Sequence, residues 1–305
     1  MDGKRHKFSL GLRAVAWAVA CLLSAQVAFG FMYWDSNGNA MARSDEDGSN
    51  VNNSFMTSGG SITSVAANQT HLFWRSGSST IGRSNADGTG VNASFMTGLT
   101  LVNRIGINND YIFWGVGGGS AGIGRANIDG TGIDNSFISV PNGTVGVRAT
   151  SNFVYWSDGG ANRIGRANVD GTGVDPLFIT GITGQPTGIW VTDTHIYWID
   201  GSANTIGRAN IDGTGINEGF IGSPGSSASD IAVTSSKIFW TRFSPNAIGS
   251  ADIDGTNVNT TAISTLEPAT ITLTIPESGT YGLIVGLLAG LGVLLLRVKS
   301  RGLKA

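Results

Sequence analysis

The sequence predicts an all-β fold, a β-propeller of six four-stranded antiparallel sheets, and three observations carry that prediction. A tract close to "IYWIDGSANTIGRANIDGTGINEGFI" (residues 196–221) recurs six times, its copies opening at Met32, Leu72, Ile112, Val154, Ile196 and Ile238. The tryptophans Trp34, Trp74, Trp114, Trp156, Trp198 and Trp240 stand 40, 40, 42, 42 and 42 residues apart. Asp-Gly pairs at Asp47, Asp87, Asp129, Asp170, Asp212 and Asp254 keep the same step. A period of about 40–45 residues holding several short strands marks propeller blades, so six units mean six blades.

Residues 1–30 read as a secretory signal peptide. Lys4, Arg5, Lys7 and Arg13 form a basic region, residues 14–30 supply the apolar stretch, and Ala28 and Gly30 place small residues at a cleavage site. The apolar run is shorter than the ~20 residues a membrane span needs. Cys21 is the single cysteine, so cleavage after Gly30 leaves no disulfide or thiolate chemistry.

The blades fill 31–275. In the fifth unit, "PTGIWVTD" (186–193), "HIYWID" (195–200), "TIGRANID" (205–212) and "NEGFI" (217–221) read as four strands separated by Gly, Ser and Asn. The neighbouring Tyr197 and Trp198 must point to opposite faces, and only a sheet buried on both sides tolerates this in every unit. Asp-Gly between the third and fourth strands suits a tight hairpin. "DIDGTN" (252–257) lacks the full acidic pattern and distal Glu of a calcium loop, so it reads as a turn.

The first unit lacks an inner strand, since Phe31 opens directly on "FMYW". "PATITLTI" (268–275) matches "PTGIWV" (186–191) at Pro-x-x-Ile, and is expected to supply that strand and clasp the ring shut.

Residues 276–305 form the last segment. "GTYGLIVGLLAGLGVLLL" (279–296) is uncharged and long enough to cross a bilayer core, and Arg297, Lys299, Arg301 and Lys304 favour a cytoplasmic end. With Pro276-Glu277-Ser278 just upstream, the segment resembles the PEP-type C-terminal sorting signals of bacteria, although Ser278 stands where that family usually has Pro. The resemblance implies a processing enzyme of exosortase type.

The units themselves, over about 31–275, resemble the YWTD repeats (class B repeats of low-density-lipoprotein-receptor type), which form six-bladed propellers. The match is strongest at Trp, at Ile-x-Arg-Ala-Asn-x-Asp-Gly and at the terminal Phe. The final Asp of the motif survives as Asp158 and Asp200, while Ser36, Ser76, Val116 and Arg242 hold the equivalent places. The Arg is present as Arg43, Arg83, Arg125, Arg166 and Arg208 and becomes Ser250 in the last unit. The resemblance implies that these side chains help tie blades together wherever they occur.

Residues 31–275 carry eleven Lys and Arg against nineteen Asp and Glu, a balance of −8. An acidic surface without a basic stripe argues against nucleic acid as a partner. His71 and His195 fall three residues before their Trp, where other units hold Phe31, Tyr111, Phe153 and Lys237, and read as surface positions. No nucleophile elbow, phosphate loop or His/carboxylate metal set stands in the chain, so no catalytic residue, metal or cofactor is assigned.

Positions ten and eight before each Trp fall on the opposite pleat from the inner-strand aliphatics and face the axial channel. They read Ser64/Ala66, Arg104/Gly106, Gly146/Arg148, Gly188/Trp190, Asp230/Ala232 and, from the tail, Thr270/Thr272. Arg104, Arg148, Trp190 and Asp230 are thereby placed either to surround a small polar or anionic ligand or to plug the channel by pairing. The function expected is an exported, membrane-tethered binding or cell-surface module, not an enzyme. It would meet an unknown protein or small polar ligand at a propeller face or in the channel. The alternatives are a propeller hydrolase or lyase with its site in the channel, and a purely structural envelope or matrix component.

Overall fold

Among the described residues, twenty-four strands sort into six four-stranded antiparallel sheets. The computed structural model describes residues 30–274 apart from 37, 118–121, 141–142 and 266. The leader up to residue 29, and the segment 276–305 with its expected span, lie outside the described residues.

The fifth blade shows how the repeat folds. Its strands are Pro186–Val191, His195–Asp200, Thr205–Asn210 and Asn217–Ile221. The first and third end two residues earlier than the sequence pattern indicated, because side-chain acceptors capture the backbone there. Thr192 Oγ1 accepts from His195 N at 3.0 Å, and Asp212 Oδ1 accepts from Thr214 N at 2.9 Å, turning each chain before the strand can continue.

Register is uniform around the ring. The inner-strand aliphatic lies opposite the Trp in every blade: Val65 and Trp74, Ile105 and Trp114, Val147 and Trp156, Ile189 and Trp198, Ile231 and Trp240. All six repeat tryptophans are fully buried, and the aromatic preceding each is almost as deeply buried on the other face. Such two-sided burial is what adjacent large rings require. In blades two to six a glycine of the third strand lies directly under the indole, where a Cβ would overlap it. Blade one has Ala42 at that place, and there Trp34 Nε1 donates to Thr265 Oγ1 at 2.7 Å.

The clasp forms as its sequence indicated. Ile271–Leu273 joins Phe31–Ser36 as the missing inner strand, with Ile271 opposite Trp34. Phe31 N donates to Thr274 Oγ1 at 2.8 Å, and Asp35 Oδ1 accepts from Ala269 N at 2.8 Å and Thr270 N at 2.7 Å. The inner strands touch in chain order, and the tail strand touches both the sixth and the second blade, so the ring is closed. The edge of Phe31–Ser36 is thereby paired rather than left to recruit another strand.

The ties between blades differ from those the resemblance implied. Each repeat Arg stacks on rings of its own blade: Arg43 lies 4.3 and 4.4 Å from Phe31 and Phe55, and Arg166 lies 4.6 and 3.9 Å from Phe153 and Phe178. The fourth-strand Phe makes the crossing instead. Phe55, Phe95, Phe137, Phe178 and Phe220 lie against the Asp-Gly turn glycine of the following blade. At Gly130 (φ +88°) glycine is needed twice over, for the left-handed turn and for the close approach of Phe95. Among the Arg residues, Arg125 does reach the next blade, donating to Val169 O at 2.9 Å. Blade six loses the whole clamp, with Ser250 for Arg and Ala262 for Phe, and pairs Lys237 with Asp252 at 3.0 Å.

Asp158 and Asp200 also act within their own blades. Asp158 binds Arg163 at 2.9 Å, and Asp200 Oδ1 accepts from Ser202 N and Ala203 N at 3.0 and 2.8 Å, ordering the turn between second and third strands.

Candidate functional site

The inner strands present two layers of side chains to the axis. One layer lies opposite the residue after each Trp, nearer the connections that enter the blades. It holds Ser64, Arg104, Gly146, Gly188, Asp230 and Thr270. The other lies opposite the aromatic before each Trp, nearer the short turns that leave the inner strands. It holds Ala66, Gly106, Arg148, Trp190, Ala232 and Thr272. The four candidate residues therefore divide into two pairs.

In the first layer, Arg104 of blade three and Asp230 of blade six meet across the axis, Nη1 to Oδ2, at 3.0 Å. The contact is an ion pair without hydrogen-bond alignment at Nη1; Arg104 Nη2 donates to Ser229 Oγ at 2.9 Å. Asp230 Oδ2 also accepts from Ile271 N at 3.1 Å, so the carboxylate holds the clasp strand as well as the guanidinium. Burial pushes the Asp230 carboxyl up from its ordinary value, and Arg104 beside it pulls the other way. Every inner strand contributes to one cavity here, lined by Ser64, Arg104, Gly146, Trp190 and Asp230 among others. Its volume is about 20 Å³, room for roughly one water.

In the second layer, Arg148 Cζ lies 3.4 Å from the ring centre of Trp190, a cation over an aromatic face. Burial lowers the guanidinium to about 10, with Asp230 opposing that shift. Asp35, a residue the sequence analysis did not single out, stands near the first layer; burial raises its carboxyl to about 6, against its backbone donors and Arg104. Its signal was the acid at a place where other units hold Arg75, Gly115, Ser157, Ile199 and Thr241.

The histidines lie away from the axis. His71 and His195 begin second strands in blades two and five, half-buried rather than simply on the surface. They fill the aromatic place of the Arg clamp, 6.1 Å from Phe73 and Tyr197, and each ring nitrogen Nδ1 is 2.8 Å from the hydroxyl of the preceding Thr. Burial, with Arg83 and Arg208 nearby, lowers both imidazoles. Among the described residues, no group of three His, Cys, Asp or Glu is placed to hold a metal ion.

With this geometry in hand, solved structures offer three comparisons. A chain from the crystal structure of a nidogen/laminin complex is similar at TM-score 0.66 and 16% identity, over 81% of this chain and 98% of that one. A streptogramin B lyase is similar at 0.58 and 21%, over 79% and 82%. Virginiamycin B lyase from Staphylococcus aureus is similar at 0.52 and 17%, over 68% and 73%. The chain shares their fold. At such identities the likeness extends to the fold alone. No family model matches the chain, and no curated protein matches it.

Proposed function

We propose that the chain is exported, held to a membrane by residues 276–305, and acts through its propeller as a binding module at the cell surface or in the envelope. The observation that carries the binding reading is the Arg104–Asp230 pair. The channel's acid is engaged on a guanidinium and a backbone amide, beside a cavity of about 20 Å³, instead of standing free beside a substrate-sized space. Export and tethering rest on the basic and apolar leader, the uncharged 279–296 stretch and the basic tail. The acidic balance of −8 over 31–275 disfavours nucleic acid and leaves protein or small polar ligands as the partner class.

Protease added outside intact cells or spheroplasts tests the arrangement. It should digest the propeller and spare the tail, and deletion of 276–305 should release soluble propeller into the exported fraction. Protection of the propeller, or membrane retention after the deletion, would sink this topology.

A channel lyase or hydrolase is the second reading, favoured by the two lyases that share the fold. Turnover of a cyclic ester or lactone by the full chain, abolished by Asp230→Ala, would replace the binding reading with that one.

A further inference from the structure

We propose that the Arg148 end of the axial channel is a binding site for a small monocarboxylate. The proposal rests on the binding reading above and names its ligand class. Among the described residues, Arg148 makes no hydrogen bond and no ion pair within 4 Å; it lies on the face of Trp190 at 3.4 Å, and the Asp230 charge acts on it only from a greater distance. A ring face attracts the cation but does not accept its five N–H groups in the plane of the guanidinium. Two more polar groups of the same layer are unsatisfied. Trp190 Nε1 and Thr272 Oγ1 have no hydrogen-bond partner, and both residues are 1% exposed. The rest of the layer, Ala66, Gly106 and Ala232, offers no polar side chain. The layer thus sets a guanidinium and an indole N–H against a single hydroxyl oxygen as its side-chain acceptor.

Charge points the same way. In the first layer Arg104 and Asp230 answer one another, which leaves the second layer with a guanidinium lacking any contacting carboxylate. A cation so placed is relieved by an anion that accepts in its plane. The channel already satisfies one guanidinium with a carboxylate, and Arg148 lacks only the second.

Arg148, like Arg104 and Asp230, is only partly buried, and it sits two residues before the turn at Thr150, so its approach is from that turn's face. That turn shares a face with the Asp-Gly turns, as the bonds from Ala86 N to Thr70 O and from Val169 N to Asn152 O show. The face carries Asp110, Asp193 and the six Asp-Gly aspartates. Such a rim repels phosphates and other polyanions, and leaves a small singly charged carboxylate as the anion best able to enter.

Acetate is the probe, titrated into the full-length chain in detergent against sodium chloride at matched ionic strength, with heat or melting temperature as readout. Saturable binding of acetate, weakened at least tenfold in Arg148→Gln and partly kept in Arg148→Lys, is the expected result. A second measurement needs no variant: acetate should slow phenylglyoxal modification of Arg148 in the wild-type chain, read by peptide mapping. Absence of saturable acetate binding, an equal response to chloride, undiminished binding by Arg148→Gln, or unprotected Arg148 would each overturn the proposal. Any of these leaves the protease result intact, so a failed ligand assignment is distinguishable from a failed topology.

Discussion

Arg104 and Asp230 meet at 3.0 Å across the axis of the ring, from inner strands three blades apart. An ion pair between opposite blades resists changes in ring diameter, since any widening separates the charges. Asp230 Oδ2 simultaneously accepts from Ile271 N of the tail strand, so the same carboxylate also supports closure.

Arg104→Gln should therefore destabilise the propeller by about 3 kcal/mol, because it leaves Asp230 largely buried without its cation. The double change Arg104→Leu with Asp230→Leu should recover part of that loss. Denaturant midpoints of the three proteins check this; an Arg104→Gln midpoint equal to wild type would remove the bolt from the account.

Ending the chain after Ser264 should expose the edge of Phe31–Ser36 and lower both stability and solubility. Ile271 and Leu273 are 3% and 2% exposed, and their burial alone contributes about 4 kcal/mol. Thermal melting and light scattering provide the measurement, and a truncated chain that melts like the full one would show that the clasp contributes nothing.

Acidification from pH 7.5 to 5 should raise the melting temperature. Burial lifts Asp35 to about 6 in the folded chain, above its ordinary value near 3.8. The protonated form is thus favoured on folding: its stabilisation is fully present below about pH 4 and lost as pH rises through 6. The difference is about 3 kcal/mol at most. Below pH 4 the trend should reverse, as the Asp-Gly carboxylates Asp87, Asp129, Asp170, Asp212 and Asp254 lose charge. Hydrogen bonds from the Thr two residues on hold those groups below the usual range. Asp35→Asn should flatten the limb between pH 7.5 and 5; a limb unchanged in that variant would assign it to another group.

Thr205→Arg should raise the melting temperature by a few degrees. In blade four Arg163 binds Asp158, but its counterpart in blade five is Thr205, and both Asp200 Oδ2 and Thr205 Oγ1 lack partners. Restoring the cation should gain about 1 kcal/mol by pairing a buried carboxylate. A lower melting temperature would indicate that the turn near Asn204 cannot admit the longer side chain.

The sequence by itself determined the six blades, the strand order within each, the alignment of inner aliphatics with tryptophans, and the tail strand that closes blade one. These are legible because each blade repeats one local pattern of alternation and turn residues, and Ile271 keeps the phase of Ile189 and Ile231. The candidate site was legible only as a set: Arg104, Arg148, Trp190 and Asp230 could be assigned to the channel, but not to partners. Which of them pair was decided by ring closure, which brings blade three against blade six and leaves Arg148 on Trp190 without a carboxylate. Asp35 as the holder of the tail, and the fourth-strand Phe, with Arg125 beside it in blade three, as the link between successive blades, were likewise set by tertiary structure. Contacts between blades depend on the curvature and diameter of the closed ring, and no spacing along the chain encodes either quantity.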